Sequence, residues 1–367
     1  MKGIVHKLFC FVCQLIVLLA RKAKVLDSLI YHICLYYEKN SSNFIRYRLI
    51  PKYSSSVNDD RLRTNSADNS YGIIIQGQLI SKNNFTIETV RIYKKIFPYA
   101  TIIVSTWEGE DQKLLKDIEN EGCEIILNAP PCPMGLCHVN YQIVSTQMGL
   151  KKAKELGLKF CLKSRSDIRL NYKYSLEYLT SLLKIFKVGG NDLPLKGRII
   201  SLNGIPGQMF FPFWIQDYCY FGHTDDLIDL FDIELDKRNK HNSGIRQLGK
   251  DGMKNGKDFY EHISPEMYIV LTFLRKYDNI ETLMVKDSWE YIKRYFLIVN
   301  FEDLNVVWDK YNRLWMNKFM GEYDGEKTYD TTYMPLTFQN FVNLYDNQFD
   351  YTEDIEDLSE SYTEFII

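Results

Sequence analysis

From Tyr71 onward the chain sets short, wholly apolar runs against longer stretches whose apolar residues recur every three or four positions. Gly72-Ile73-Ile74-Ile75 has the length and density of a strand buried on both faces. Residues 84–97 then place Ile87, Val90 and Phe97 at helical spacing. Ala100–Val104 reads as a second strand, residues 111–120 as a charged helix and Cys123–Leu127 as a third strand. Asn140–Leu156 is a long helix carrying Val144, Met148, Ala153 and Leu156, and Phe160–Leu162 is a fourth strand. This alternation predicts an α/β fold, a mostly parallel sheet with helices on both faces. Ligands in such sheets bind beyond the carboxyl ends of the strands. Here those ends are Gln76-Gly77-Gln78, Ser105-Thr106-Trp107, residues 128–133 and Ser164–Asp167.

After about residue 190 the rhythm changes. Arg198–Leu202 and Tyr218–Phe221 read as strands, with the aromatic run FFPFW between them. Residues 236–262, rich in Gly, Lys and Asn, read as a long surface loop. Ser264-Pro265-Glu266 opens a helix running to about Tyr277, with Ser as N-cap and Pro in the first turn.

The first fifty residues follow a different pattern. Leu8–Ala20 is apolar except for Gln14, but such a run rises only about 20 Å as a helix, short of the roughly 30 Å hydrocarbon core of a bilayer. Leu26, Leu29, Ile30, Ile33 and Tyr37 continue at helical spacing. Residues 1–50 also carry eight Lys and Arg against Asp27 and Glu38 alone. The expectation is amphipathic helices lying on an anionic membrane face, with a signal peptide or a hairpin packed on the protein's own core as alternatives. Residues 51–70 are polar and turn-rich and read as a linker. The eight acids between Asp346 and Glu364, with no Lys or Arg among them, read as a solvated acidic tail.

Composition narrows the function classes. Hydrophobic residues at 46% and charged residues at 25% are globular values, and a net charge of −2 offers no electrostatic footprint for nucleic acid. The eight cysteines are scattered through a long chain, which suits a reducing compartment rather than a disulfide framework. Cys10 and Cys13 have no matching pair, and Cys132, Cys137 and His138 lack a fourth zinc ligand at usual spacing. No Gly-x-Gly-x-x-Gly follows the first strand and no Walker lysine loop occurs, which argues against a dinucleotide dehydrogenase and a P-loop kinase.

The candidate chemistry centres on KFCLKSRSDIRL, residues 159–170. A strand there ends in Arg165 and Asp167. One reading is a surface turn with a local ion pair. The other is the rim of a pocket for an anion, because an acidic residue just past the fourth strand of an open sheet fits the A-type glycosyltransferase (GT-A) arrangement. Asp167 takes the last position of its Asp-x-Asp motif and Arg165 the first. Asp167 would then hold a divalent cation, Mn2+ or Mg2+, that neutralises a leaving diphosphate. Loss of the first aspartate leaves open a metal-independent site, with Arg165 and Lys163 as the charge clamp.

The blocks IIIQGQL (73–79), IYKKIFPYATIIVSTW (92–107), NYQIVSTQMGLKKAKELG (140–157), KFCLKSRSDIRL (159–170), YFGHTDDLIDLF (220–231), PEMYIVLTFLRK (265–276) and KDSWEYIKRYFLIV (286–299) occur in this order. Together they resemble the WavE lipopolysaccharide-synthesis family over roughly residues 71–315. The resemblance implies a bacterial, GT-A-like glycosyltransferase domain over 71–320, between the helices at 1–50 and a tail at 321–367. It implies sugar transfer from a nucleotide-sugar donor to a lipopolysaccharide, capsule or related glycan or glycolipid acceptor. A nucleotide-sugar donor, cytosolic in bacteria, sets the expected location in the cytoplasm; the N-terminal helices, outside the resemblance, make it peripheral at the inner membrane, and the net charge of −2 argues against a nucleic-acid partner. A silent assembly factor of the surface-glycan machinery and a nucleotidyl or phosphosugar transferase are the competing classes. Under the resemblance Gln76 and Gly77 face the base or ribose, and Trp107 stacks on the base or caps the sheet. Asn140 and Gln142 sit at a helix start that attracts phosphate. Asp217 and Asp226 fall where acceptor and sugar contacts lie. Glu266 is the first candidate for general base and Asp217 the second.

Overall fold

The computed structural model describes residues 2–22, 25–45, 48–57, 70–188, 193–203, 209–238, 264–310 and 336–350. The chain divides into two compact units, residues 1–50 and 51–367. Most of the long loop expected at 236–262, the second half of the linker and the acidic residues beyond 350 lie outside the described residues.

In the first unit, α1 (Lys2–Lys22) and α2 (Leu26–Asn40) follow one another with a hydrogen bond from Val25 N to Ala20 O at 2.9 Å between them. α1 extends beyond the apolar run at both ends, closing on Arg21 and Lys22. Phe11, Leu15, Ile16, Leu18 and Leu19 are all exposed, and no residue of α2 is buried. Among the described residues, no helix is long and apolar enough to cross a membrane.

The second unit is built on one seven-stranded sheet. Its strands are β1 (Tyr71–Gln76), β2 (Thr101–Trp107), β3 (Glu124–Asn128), β4 (Phe160–Arg165), β6 (Ile199–Asn203), β7 (Tyr220–His223) and β8 (Phe296–Asn300), in the order β3-β2-β1-β4-β7-β6-β8. A two-residue strand, β5 (Ile168–Arg169), leaves the end of β4 and pairs with β9 (Val307–Trp308). β7 alone runs against its neighbours, so the sheet is mixed and mostly parallel, as the alternation predicts. β1 is buried at all six positions, which is why its sequence shows no polar alternation.

The helices bury the stripes their spacing announces. α3 (Phe85–Ile96) turns in Ile87, Val90 and Tyr93. α4 (Gln112–Asn120) turns in Leu114, Leu115 and Ile118, with the Asp111 side chain capping the amides of Lys113 and Leu114. α5 (Val139–Glu155) lies across β1 and β2. A Cβ on its Gly149 would stand 2.6 Å from Ile74 Cγ2, so the helix reaches the sheet only because that position has no side chain. α6 (Ser175–Ile185) and α7 (Thr224–Phe231) complete the middle of the domain. α8 (Pro265–Leu274) starts as its sequence predicts, with Ser264 Oγ accepting from Met267 N at 3.1 Å. α9 (Val285–Tyr295) leads into β8, and α10 (Phe338–Tyr345) follows.

The start of the supposed linker is part of this unit. Ser54 N donates to Glu88 Oε2 at 2.7 Å, and Lys95 Nζ donates to Ser54 O at 2.6 Å.

Candidate active site

The strand order reverses between β1 and β4. β2 and β3 follow on one side of β1, and the chain then crosses to lay β4 on the other. Open α/β sheets bind ligands at such a switch point, outside the carboxyl ends. A cleft of about 710 Å³ lies there. Gln76, Gly77, Trp107 and Arg165 line it, at the ends of β1, β2 and β4. Because β7 is reversed, the residues leading into it reach the same edge, and Asp217 and Tyr218 join the lining. Gln142 enters from α5 and Glu266 from the first turn of α8.

The stretch that ends β4 is an ion pair and a pocket rim at once. Arg165 Nε donates to Asp167 Oδ1 at 2.9 Å, and its Nη2 donates to Oδ2 at 3.0 Å. Oδ2 also accepts from Trp308 Nε1 at 3.0 Å, and the guanidinium carbon stands 5.5 Å from a Trp308 ring centroid. Burial alone would raise the Asp167 pKa, but the Arg165 hydrogen bonds and charge outweigh it and hold the carboxyl below its usual range.

The expected metal does not fit this arrangement. Both Asp167 oxygens are engaged, a guanidinium stands where a cation would bind, and no three His, Cys, Asp or Glu converge among the described residues. The zinc reading of Cys132, Cys137 and His138 fails on the same ground, and the described cysteines are free thiols.

The same lining holds two carboxylates, Glu266 and Asp217. Burial first, and then the charge of Asp217, push Glu266 up to about 8. Ser264 Oγ donates to Glu266 Oε2 at 3.2 Å. Asp217 is held from below, with Gln142 Nε2 donating to its Oδ2 at 2.7 Å and Lys163 Nζ donating to its backbone carbonyl. Gln76 is fixed by α5, where Ser145 Oγ donates to its Oε1 at 2.8 Å. Gly77 turns the chain at φ +101°, in the left-handed region that favours glycine. The Trp107 ring meets Tyr141 edge-on, with centroids 4.7 Å apart.

Three expected site residues lie elsewhere. Lys163 is two positions before Arg165 on the same face of β4, but fully buried between the rings of Tyr220 and Phe231, beneath the cleft. Burial brings its ammonium down to about 8, against the pull of Asp217. Asn140 spends its side chain on structure. It donates to the carbonyls of Pro133 and Asp236 and accepts from Asp236 N, stitching two loops together. Asp226 accepts from the amides of Lys196 and Gly197 at 2.9 Å each and does not line the cleft. Burial raises its pKa to about 6 despite those bonds.

The structure adds residues that the sequence reading passed over. Trp308 and Lys310 reach the rim because β9 pairs with β5, and Trp214 and Tyr218 come from the aromatic run before β7. FFPFW was a visible signal for Trp214, whereas nothing local ties residue 308 to residue 167.

The chain belongs to the WavE lipopolysaccharide synthesis family, whose sequence profile matches residues 72–366. The match runs past the roughly 71–315 carried by the resembling blocks and takes in the acidic C-terminal stretch. No curated protein matches the sequence. Two solved structures share 11% identity with it. One is a mannose-1-phosphate geranyltransferase from Thermus thermophilus, with 39% of this chain and 44% of that one covered at a TM-score of 0.24. The other is a glycosyltransferase involved in glycosylation of the major capsid of PBCV-1, with 68% of this chain and 98% of that one covered at a TM-score of 0.31. Membership of the family ties the chain to lipopolysaccharide synthesis.

Proposed function

We propose that this chain is a GT-A-like glycosyltransferase that moves a sugar from a nucleotide donor onto a lipopolysaccharide or related surface-glycan precursor. The observation that carries this reading is the cleft itself. At one switch point it sets two carboxylates, the buried Asp217 and the half-buried Glu266, in the same lining as the Arg165 guanidinium. Sugar transfer needs both. The acceptor hydroxyl oxygen forms a bond to the anomeric carbon while the bond from that carbon to the diphosphate breaks. The bonding pair leaves with the nucleoside diphosphate, and the hydroxyl proton passes to a carboxylate. Glu266 takes that proton, and Asp217, fixed by Gln142 and Lys163, orients the acceptor. Gln76, Gly77 and Trp107 at the β1 and β2 ends receive the base and ribose. The exposed apolar residues of α1, beside Arg21 and Lys22, keep the enzyme on the cytoplasmic face of the inner membrane, where its acceptor is made.

A thermal-shift panel of UDP-, GDP-, CMP- and dTDP-sugars tests the donor class. A nucleotide sugar at a hundredfold excess over its Kd stabilises the folded state by roughly 2.7 kcal/mol, which raises Tm by a few degrees. One nucleotide class is expected to do so. A flat response across all four removes the nucleotide-sugar reading.

A further inference from the structure

Resting on the donor reading above, we infer that the donor diphosphate is held without a divalent metal, by the Arg165 guanidinium that Asp167 and Trp308 fix at the end of β4. Arg165 uses Nε and Nη2 on Asp167, and its Nη1 has no hydrogen-bond partner among the described residues. The guanidinium is therefore committed on one edge and open on another, while its side chain keeps about 25% exposure in the cleft lining. A planar fork with free donors matches the spacing of phosphate oxygens, and its charge is permanent.

The partners of this arginine are built for orientation. Trp308 Nε1 holds Asp167 Oδ2, and Asp167 holds two guanidinium nitrogens. The cost of immobilising a long side chain is thus met before a ligand arrives. Lys310, on the same rim, supplies a second cation. Asp167 is in this scheme a positioning residue rather than a metal ligand. When the anomeric bond breaks, the electron pair stays on the diphosphate oxygen, and Arg165 and Lys310 balance the charge that develops there.

Calorimetric titration of the full-length protein with UDP, GDP, CDP and dTDP, in EDTA and then in manganese, tests the inference. At least one nucleoside diphosphate is expected to bind in EDTA, with affinity changing less than about threefold in manganese, since Arg165 and Trp308 already engage both Asp167 oxygens. Arg165→Gln is expected to weaken that binding roughly ten- to hundredfold, the worth of a hydrogen bond to a charged group. Asp167→Asn loses only the orienting partner, so its affinity falls less than about tenfold and stays insensitive to manganese. Circular dichroism of both variants separates loss of binding from loss of fold. Binding that appears only with manganese, and disappears in Asp167→Asn, overturns the metal-free clamp while leaving the transferase reading intact. Undiminished binding by a folded Arg165→Gln also overturns it. No binding of any nucleoside diphosphate in either condition defeats the donor reading and the clamp with it.

Discussion

Replacing Glu266 by Gln is expected to leave donor binding nearly unchanged and to lower sugar transfer by roughly 10²–10⁴-fold, the usual contribution of a positioned general base. The amide keeps the size of the carboxyl and can still accept from Ser264 Oγ, which lies 3.2 Å from Glu266 Oε2. What it loses is basicity. In the native protein burial and Asp217 raise the Glu266 pKa to about 8, so the group is largely protonated at neutral pH. A base must be deprotonated, so kcat is expected to climb with pH through about 8 and then level, and the Gln variant is expected to lose that climb. Stability moves the other way. A carboxyl whose folded pKa exceeds its unfolded one contributes fully below the ordinary carboxylate range, and that contribution disappears as pH rises to about 8. Glu266→Gln removes this dependence, so at a pH of about 9 the variant is expected to melt no lower than the native protein. Full transfer activity in the variant would return Glu266 to the role of a favourable first-turn acid in α8.

The second large effect concerns the first unit. The full chain is expected to sediment with phosphatidylglycerol-containing vesicles and to be released in part by high salt, because attraction between basic side chains and headgroups is screened. Phe11, Leu15, Ile16 and Leu19 expose apolar surface that a bilayer interface would cover. Arg21→Gln with Lys22→Gln removes about 1 kcal/mol of attraction per charge, roughly a thirtyfold loss in partitioning for the pair. A chain lacking residues 1–50 is expected to stay in the supernatant and keep its nucleotide binding, since the cleft is lined entirely by the second unit. Equal sedimentation of the two chains would rule out this anchor.

Much of the fold was legible because its signals are local. Four apolar runs spaced by amphipathic stretches require a parallel sheet covered on both faces, and β1 to β4 lie where those runs are. The N-cap at Ser264 was equally plain. The reversal of β7 was not legible, because a four-residue buried strand carries no mark of direction. That reversal delivers Asp217 to the cleft. The ends of β1, β2 and β4 could be read as a site from topology alone, and Gln76, Gly77, Trp107, Gln142, Arg165, Asp167, Asp217 and Glu266 share one cleft. Lys163, Asn140 and Asp226 looked alike in sequence, polar groups near strand ends or helix starts. Only packing separates a buried strut from a cleft residue. The engagement of the Asp167 carboxylate was not legible either, because its partner Trp308 lies 141 positions away and is joined to it by a two-residue strand pair.

The most direct test follows the products. The purified protein, a lipid-linked glycan precursor extract and the nucleotide sugar that stabilises it best are incubated together, and phosphorus NMR follows the nucleotide. Nucleoside diphosphate is expected to appear in step with sugar gained by the acceptor, with no free diphosphate. Release of diphosphate with nucleotidyl transfer, or no turnover of any nucleotide sugar in the presence of acceptor, would contradict glycosyl transfer at this cleft.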